Sequence, residues 1–168
     1  MVISATSLLG ASGEHFVMAE LLRRDLIAAL APQGAPNMDI VVTDVSGQNL
    51  CGVQVKTRRK LGADGGWHMR PKHENLVSGK LFYCFVDLGV EALDGPEYFI
   101  VPSKIVANAI KQSHQVWLSN PGKNGHIRKD STVRRLLPDY TKLFFPQKCP
   151  YPSGWLEKYR DDWDALLG

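Results

Sequence analysis

Cysteine is scarce and scattered: Cys51, Cys84 and Cys149 are the 3 in a chain of 168 residues. An odd number at wide spacing excludes a disulfide framework, and no CxxC pair is present to hold zinc. Long apolar runs are missing too, since none approaches the roughly 20 residues that span a bilayer. The N-terminal stretch has no basic segment ahead of an apolar one, so no secretory signal is expected. Also absent are GxxxxGK[ST], a strand followed by GxGxxG, and GxSxG. No histidine adjoins a cysteine, and nucleophilic catalysis lacks a candidate. There is no internal repeat and no low-complexity tract. These absences point to a reduced, cytoplasmic protein with no membrane partner.

What is present has globular proportions. Apolar residues make up 44% and charged residues 22%, near the averages of soluble domains. The length suits a single domain over 1–168, large enough to bury about two-thirds of its unfolded surface. Net charge is only +3, but it is unevenly spread. Between positions 56 and 72 there are 6 Lys/Arg against Asp64 alone, and between 120 and 135 there are 5 against Asp130 alone. Residues 157–164 are acidic instead. Two basic clusters on a near-neutral chain suit a surface that faces a polyanion, or two solvated loops.

Helical spacing of Phe16, Val17, Leu21, Leu22, Leu26, Ile27 and Leu30 predicts a helix over 13–31, with Ser12 as N-cap and Glu14 in its first turn. Pro32, Gly34 and Pro36 stop it. Two β-branched stretches, 38–44 and 50–57, flank turn-forming residues and predict an antiparallel pair. Residues 58–66 read as a basic, glycine-rich loop. A short strand at 67–70 and a helical turn within 71–79 follow. The almost wholly apolar 80–88 suits a strand covered on both faces. Residues 97–101 form another strand, and Pro102 and Ser103 open a helix reaching about 113. Residues 119–154 read as irregular, and 155–167 as a helix with Trp155, Tyr159, Trp163 and Leu166 on one face. This order is not an alternating βαβα chain, so the fold class is α/β with a mixed sheet.

The chemistry lies on the two strands that follow the first helix. Side chains alternate along a strand, so Gln54 and Lys56 share one face while Val53, Val55 and Thr57 share the other. An amide and an amine on an otherwise apolar strand need partners, and Asp39 on the neighbouring strand is the natural one. The trio suits phosphodiester hydrolysis. Mg²⁺ takes hard oxygen ligands, which Asp39 and Gln54 supply. Lys56 can orient or deprotonate a water, or offset charge in the transition state. Taken singly, Asp39 also reads as a strand-edge acid, Lys56 as a solvated strand end and Glu14 as a dipole-favoured surface acid. Glu20 replaces Glu14 if the helix is rotated.

Asp39, followed fifteen residues on by Gln54-x-Lys56, resembles the PD-(D/E)XK nuclease superfamily. Pro36-Asn37-Met38-Asp39 stands for the "PD" part. Gly13-Glu14, with Leu21 seven residues later, resembles the first helix of Holliday-junction-resolvase-like members. The resemblance implies a restriction-endonuclease-like three-layer core, a central mixed β-sheet flanked by helices. That core would take about 12–116, with an irregular basic segment and a C-terminal helix over 117–168. It further implies an endonuclease acting on DNA, with Asp39, Gln54, Lys56 and Glu14 catalytic. Asp39, Gln54 and Glu14 would hold Mg²⁺, for which Mn²⁺ can substitute. Arg58, Arg59, Lys60, Arg70 and Lys72 would contact phosphates. His68 and His73 could extend that groove, and His126, Arg128, Lys129, Arg134 and Arg135 form a second strip. Trp67, Trp155 and Trp163 read as packing aromatics; Trp117 is left open. One departure stands out: Gln54 replaces the usual acid. It removes a charge from the metal site, favours one metal over two, and leaves open a non-catalytic nucleic-acid-binding protein on the same fold. One such site cuts one strand, so a homodimer is compatible with cutting both.

Overall fold

In the computed structural model, which describes residues 4–59, 65–91 and 95–168, the chain opens with helix α1 (Ala5–Leu22). The Ser4 hydroxyl caps it by accepting from the Ser7 N–H. The helix thus starts earlier than its apolar spacing predicted and ends sooner. Ser12 is no cap; its hydroxyl donates to the Leu9 carbonyl inside the helix. Beyond Leu22, Asp25 turns the chain at a left-handed φ of 58°. Strand β1 (Ile27–Leu30) follows, antiparallel to β2 (Ile40–Thr43). The stretch expected to be the helix's last turns is therefore a sheet edge. Its backbone finds partners on β2 that helical spacing alone does not reveal.

Strand β3 (Cys51–Arg58) pairs antiparallel with β2, as expected. It also runs parallel to β5 (Leu81–Asp87), which is flanked antiparallel by β6 (Glu97–Pro102). The five form one mixed sheet in the order β1–β2–β3–β5–β6. Between β3 and β5 the chain forms the short strand β4 (Trp67–Met69) and a 3₁₀ turn, Pro71–Glu74.

The alternation of β3 divides the core. Cys51, Val53 and Val55 pack beneath α1 with Val17 and Leu21. On the other side Tyr83 and Phe85 meet helix α2 (Ser103–Ser119) through Val106, Ala109 and Ile110, together with Trp67. A second sheet, β4 with β7 (Arg134–Leu136), closes this layer. The third layer thus draws on the segment that read as irregular, which also holds helix α3 (Thr141–Phe144). The expected final helix is instead two 3₁₀ turns, Glu157–Tyr159 and Trp163–Leu166. Asp161, at a φ of 51°, breaks it. Tyr159 packs in the α2-side core and Trp163 in the α1-side core, so the segment wraps the β6 edge. Among the described residues, no helix is long and apolar enough to cross a membrane.

Candidate functional site

Asp39 sits just before β2, after Asn37 has turned the chain at a φ of 66°. Its backbone is held on both sides: the Asp39 N–H donates to the Val53 carbonyl at 2.9 Å, and its carbonyl accepts from Ala31 at 2.8 Å. The β2–β3 register places Ile40 opposite Val53, so Asp39 falls beside Gln54. Asp39 Oδ2 accepts from Gln54 Nε2, and also from the Val55 N–H at 2.7 Å. The carboxylate thus serves a backbone donor where the ladder with β2 has ended. Both bonds fall on Oδ2, which leaves Oδ1 for another partner.

The polar row continues across the sheet. Gln54 is buried and stands level with Tyr83 on β5. The Tyr83 hydroxyl lies 2.7 Å from His73 Nδ1, both buried beneath the turn at Pro71–Glu74. Burial, then the nearby Lys56, Lys72 and Arg70, lowers the His73 pKa to about 4, so the ring is neutral near pH 7. Burial also raises the Tyr83 pKa, with the charge of Asp39 adding to it. Sequence reasoning missed Tyr83 altogether and read His73 only as a groove residue. Neither position announces its neighbour, because the β3–β5 register joins strands far apart in the chain.

Lys56 leaves the same face of β3 as Gln54. Burial lowers its pKa, Asp39 and Glu14 pull it back up, and Lys72 and Arg70 oppose them. Glu14 is raised by partial burial and by the charge of Asp39. Glu14, Asp39, Gln54 and Lys56 therefore share one locality, with Arg70 and Lys72 on its rim. Lys72 Nζ is 3.4 Å from Asn37 Oδ1. Glu20 lies elsewhere, paired with Arg23 and Arg24.

Glu14 reaches the site because α1 lies very close to β3. A Cβ at Gly13 would sit 1.8 Å from Thr57 Oγ1, so only glycine allows this approach.

The basic residues divide. Arg58 does not face phosphate as the sequence suggested. Its guanidinium donates to Asp87 Oδ2 at 2.7 and 3.0 Å and stacks 3.8 Å over the Trp67 ring. Asp87 closes an otherwise apolar strand, and the β3–β5 register sets it level with Arg58. Arg59 is exposed, and Lys60 lies outside the described residues. In the second strip, Arg134 is buried against Glu74, and Arg128 donates to the Trp117 carbonyl and covers its ring. Trp67 and Trp163 are buried in the core, and Trp155 packs against it, as expected.

No protein-family model matches the chain, and neither does any curated protein sequence. Among solved structures, the chain is similar to the bacterial homing endonuclease I-Ssp6803I. The TM-score is 0.56 at 16% identity, over 98% of this chain and 93% of that one. The chain has a restriction-endonuclease-like fold. A looser likeness is to Hjc, a Holliday junction resolvase of Archaeoglobus fulgidus, at TM-score 0.43 and 14% identity, over 76% of this chain and 83% of that one. Within the restriction-endonuclease-like fold, the Asp39–Gln54 pair lies across adjacent strands β2 and β3. Glu14 of α1 borders the pair on one side, and Arg70 and Lys72 of the 70–74 segment border it on the other through their fields on Lys56.

Proposed function

We propose that this chain is a metal-dependent endonuclease that hydrolyses DNA phosphodiester bonds at Glu14, Asp39, Gln54 and Lys56. The observation that carries this reading is the amine of Lys56, partly desolvated in the field of two carboxylates, Asp39 and Glu14, and making no ion pair among the described residues. Such an amine is costly for stability and useful for chemistry.

The donor set fits a hard cation. Asp39 and Glu14 bring carboxylates and Gln54 an amide oxygen, which suits Mg²⁺ or Mn²⁺ with water and phosphate completing the shell. Among the described residues no three His, Cys, Asp or Glu side chains cluster to hold a metal, in keeping with an amide at position 54. Gln54 donates to Asp39 through Nε2; as a ligand it would offer Oε1. A bound cation would acidify a water and offset phosphate charge. Lys56 would orient such a water, and its lowered pKa makes the neutral amine, which can accept the water's proton, easier to reach than on a surface lysine. When charged, it stabilises the transition-state oxygens. Arg59, Lys60, Arg70 and Lys72 hold flanking phosphates.

Cleavage of duplex, junction, flap and single-stranded DNA in Mg²⁺ and Mn²⁺ tests this, with Lys56→Ala and Asp39→Ala as controls. The expected result is metal-dependent cutting by the natural chain and none by either variant. Equal cutting by Lys56→Ala overturns it. One observation favours a second reading, DNA binding without catalysis: Gln54 turns its donor Nε2, and not its Oε1, towards Asp39. Tight binding with no cleavage in either metal supports that reading. We also propose a homodimer, since two sites cut two strands. The exposed Leu8, Phe16 and Leu22 of α1 and Ile27 and Leu30 of β1 offer apolar surface for it. Sedimentation of the purified chain decides that point. A cytoplasmic setting agrees with three free thiols.

A further inference from the structure

We infer that the outer face of the β4–β7 ribbon is the grip by which this site holds duplex DNA, an inference that rests on the proposed nuclease reading for what happens to the DNA once held. The two basic clusters of the sequence lie far apart in the chain, yet β4 and β7 pair antiparallel, with His68 opposite Arg135 and Met69 opposite Arg134. The ribbon has two distinct faces. Trp67, Met69, Arg134 and Leu136 are buried, whereas His68 and Arg70 are exposed and Arg135 is partly so.

The inward side chains make the ribbon rigid. Trp67 Nε1 donates to the Val86 carbonyl at 3.0 Å, and Arg134 is tied to Glu74 and to the Ser131 carbonyl at 2.6 Å. Outside, Arg135 Nη1 lies 2.9 Å from His68 Nε2 and orders that pair. The face then leads into the site, because Arg70 directly follows β4 and Lys72 Nζ lies 3.4 Å from Asn37 Oδ1, two residues before Asp39. The result is a track of cations from Arg135, seated on the His68 ring nitrogen, through Arg70 to Lys72 and Lys56.

The chemistry of the track selects duplex over single strand. Guanidinium and imidazole groups on a fixed backbone recognise phosphates at fixed spacing, and a two-stranded ribbon fits a duplex groove. Single-strand binders instead stack bases on exposed aromatic rings. The outer face of this ribbon carries no Phe, Tyr or Trp; its one tryptophan, Trp67, is turned inward, and the His68 ring is held edge-on by Arg135 Nη1 at its Nε2. Arg58, the cation that sequence placed on the DNA, is the ribbon's anchor instead, stacked on Trp67 from behind.

The test is binding of a short fluorescein-labelled duplex and of its single strand in EDTA, so that no cleavage intervenes, at several salt concentrations. The natural chain should prefer the duplex. Arg70→Ala/Arg135→Ala should weaken duplex binding roughly tenfold and flatten the slope of log K against log salt by about two units. Arg70→Lys/Arg135→Lys should keep most of that slope, which separates lost charge from lost fold. Lys80→Ala, at the opposite end of β5, should change neither. Unchanged affinity and slope in the double alanine variant, or a preference for single strand, overturns the inference even if the chain cuts DNA. Loss of duplex binding in a chain that cuts nothing upholds the grip and sinks the nuclease reading alone.

Discussion

Lys56 and Arg58 leave the same face of β3 two residues apart, and the protein treats them in opposite ways. Arg58 is 10% exposed and paired through Nε and Nη2 with Asp87, at 2.7 Å from Nη2, with the Trp67 ring beneath it, while its Nη1 has no hydrogen-bond partner among the described residues. Lys56 has only the more distant fields of Asp39 and Glu14, which two neighbouring cations oppose. A guanidinium keeps its charge and forks onto a carboxylate, so it suits permanent pairing. An amine gives up its proton when desolvated, so it suits a role in which protonation changes. A single strand therefore carries a clasp at its end and, one step inward, a cation with no ion pair among the described residues.

The comparison breaks most visibly through its paired half. Asp87→Ala leaves the Arg58 charge buried without its partner and should cost about 3–5 kcal/mol in urea unfolding. Lys56→Met should behave in the contrary way, with stability within about 1 kcal/mol of the natural chain or above it, and cleavage lost. A large stability loss from Lys56→Met, or none from Asp87→Ala, would reverse the assignment.

Gly13→Ala comes next. Its new Cβ meets Thr57, the residue between the two cations, and should cost about 1–3 kcal/mol by overpacking. Adding Thr57→Ala should restore part of that, so a double-mutant cycle should show coupling. Additive losses would mean that α1 and β3 are less tightly apposed.

The pH dependence sharpens the picture around Lys56. The folded pKa of His73, about 4, lies below its ordinary 6.5. The unfolded chain therefore takes up the proton first. The stability that His73 contributes is whole above about pH 6.5 and falls as pH drops towards 4. His73→Asn should flatten the unfolding midpoint against pH across that window. The smallest effect is expected from Gln54→Glu. Without metal it sets a second carboxylate against Asp39 and should cost about 1 kcal/mol. With Mg²⁺ its melting temperature should rise more than that of the natural chain, because an acid binds a hard cation better than an amide.

Much of the site was legible because its strands are local. A short turn separates β2 from β3, so the neighbourhood of Asp39 and Gln54 follows from strand pairing, and the shared face of Gln54 and Lys56 from alternation. The clasp was not legible in the same way. Asp87 meets Arg58 only through a parallel pairing whose register sits outside any local pattern. Residues 27–30 failed as a helix because Ile-Ala-Ala-Leu fits either period, and the neighbouring strand decided between them. The spacing of Trp155, Tyr159, Trp163 and Leu166 matched a helix, yet those rings serve two layers on opposite sides of the sheet. Apolar periodicity counts buried residues; it does not say which core receives them.

The parallel alignment of β3 and β5 sets an order of events in folding. Strands that run the same way cannot be joined by a tight turn, so the chain travels back along the sheet between Arg58 and Leu81. That return path carries β4, Arg70, Lys72 and His73. The pairing of α1 with β1, β2 and β3 draws on early, nearby sequence, whereas β4 waits for β7, far down the chain. Contacts of long sequence separation form late, because loop closure precedes their reward. During synthesis, Asp39 and Gln54 would thus become neighbours on a half-made protein that still lacks its β4–β7 ribbon. In a chain whose Trp117, Trp155 and Trp163 are replaced by Phe, Trp67, which packs in the α2-side core, should report this in refolding as a fluorescence change slower than the rise of helical signal.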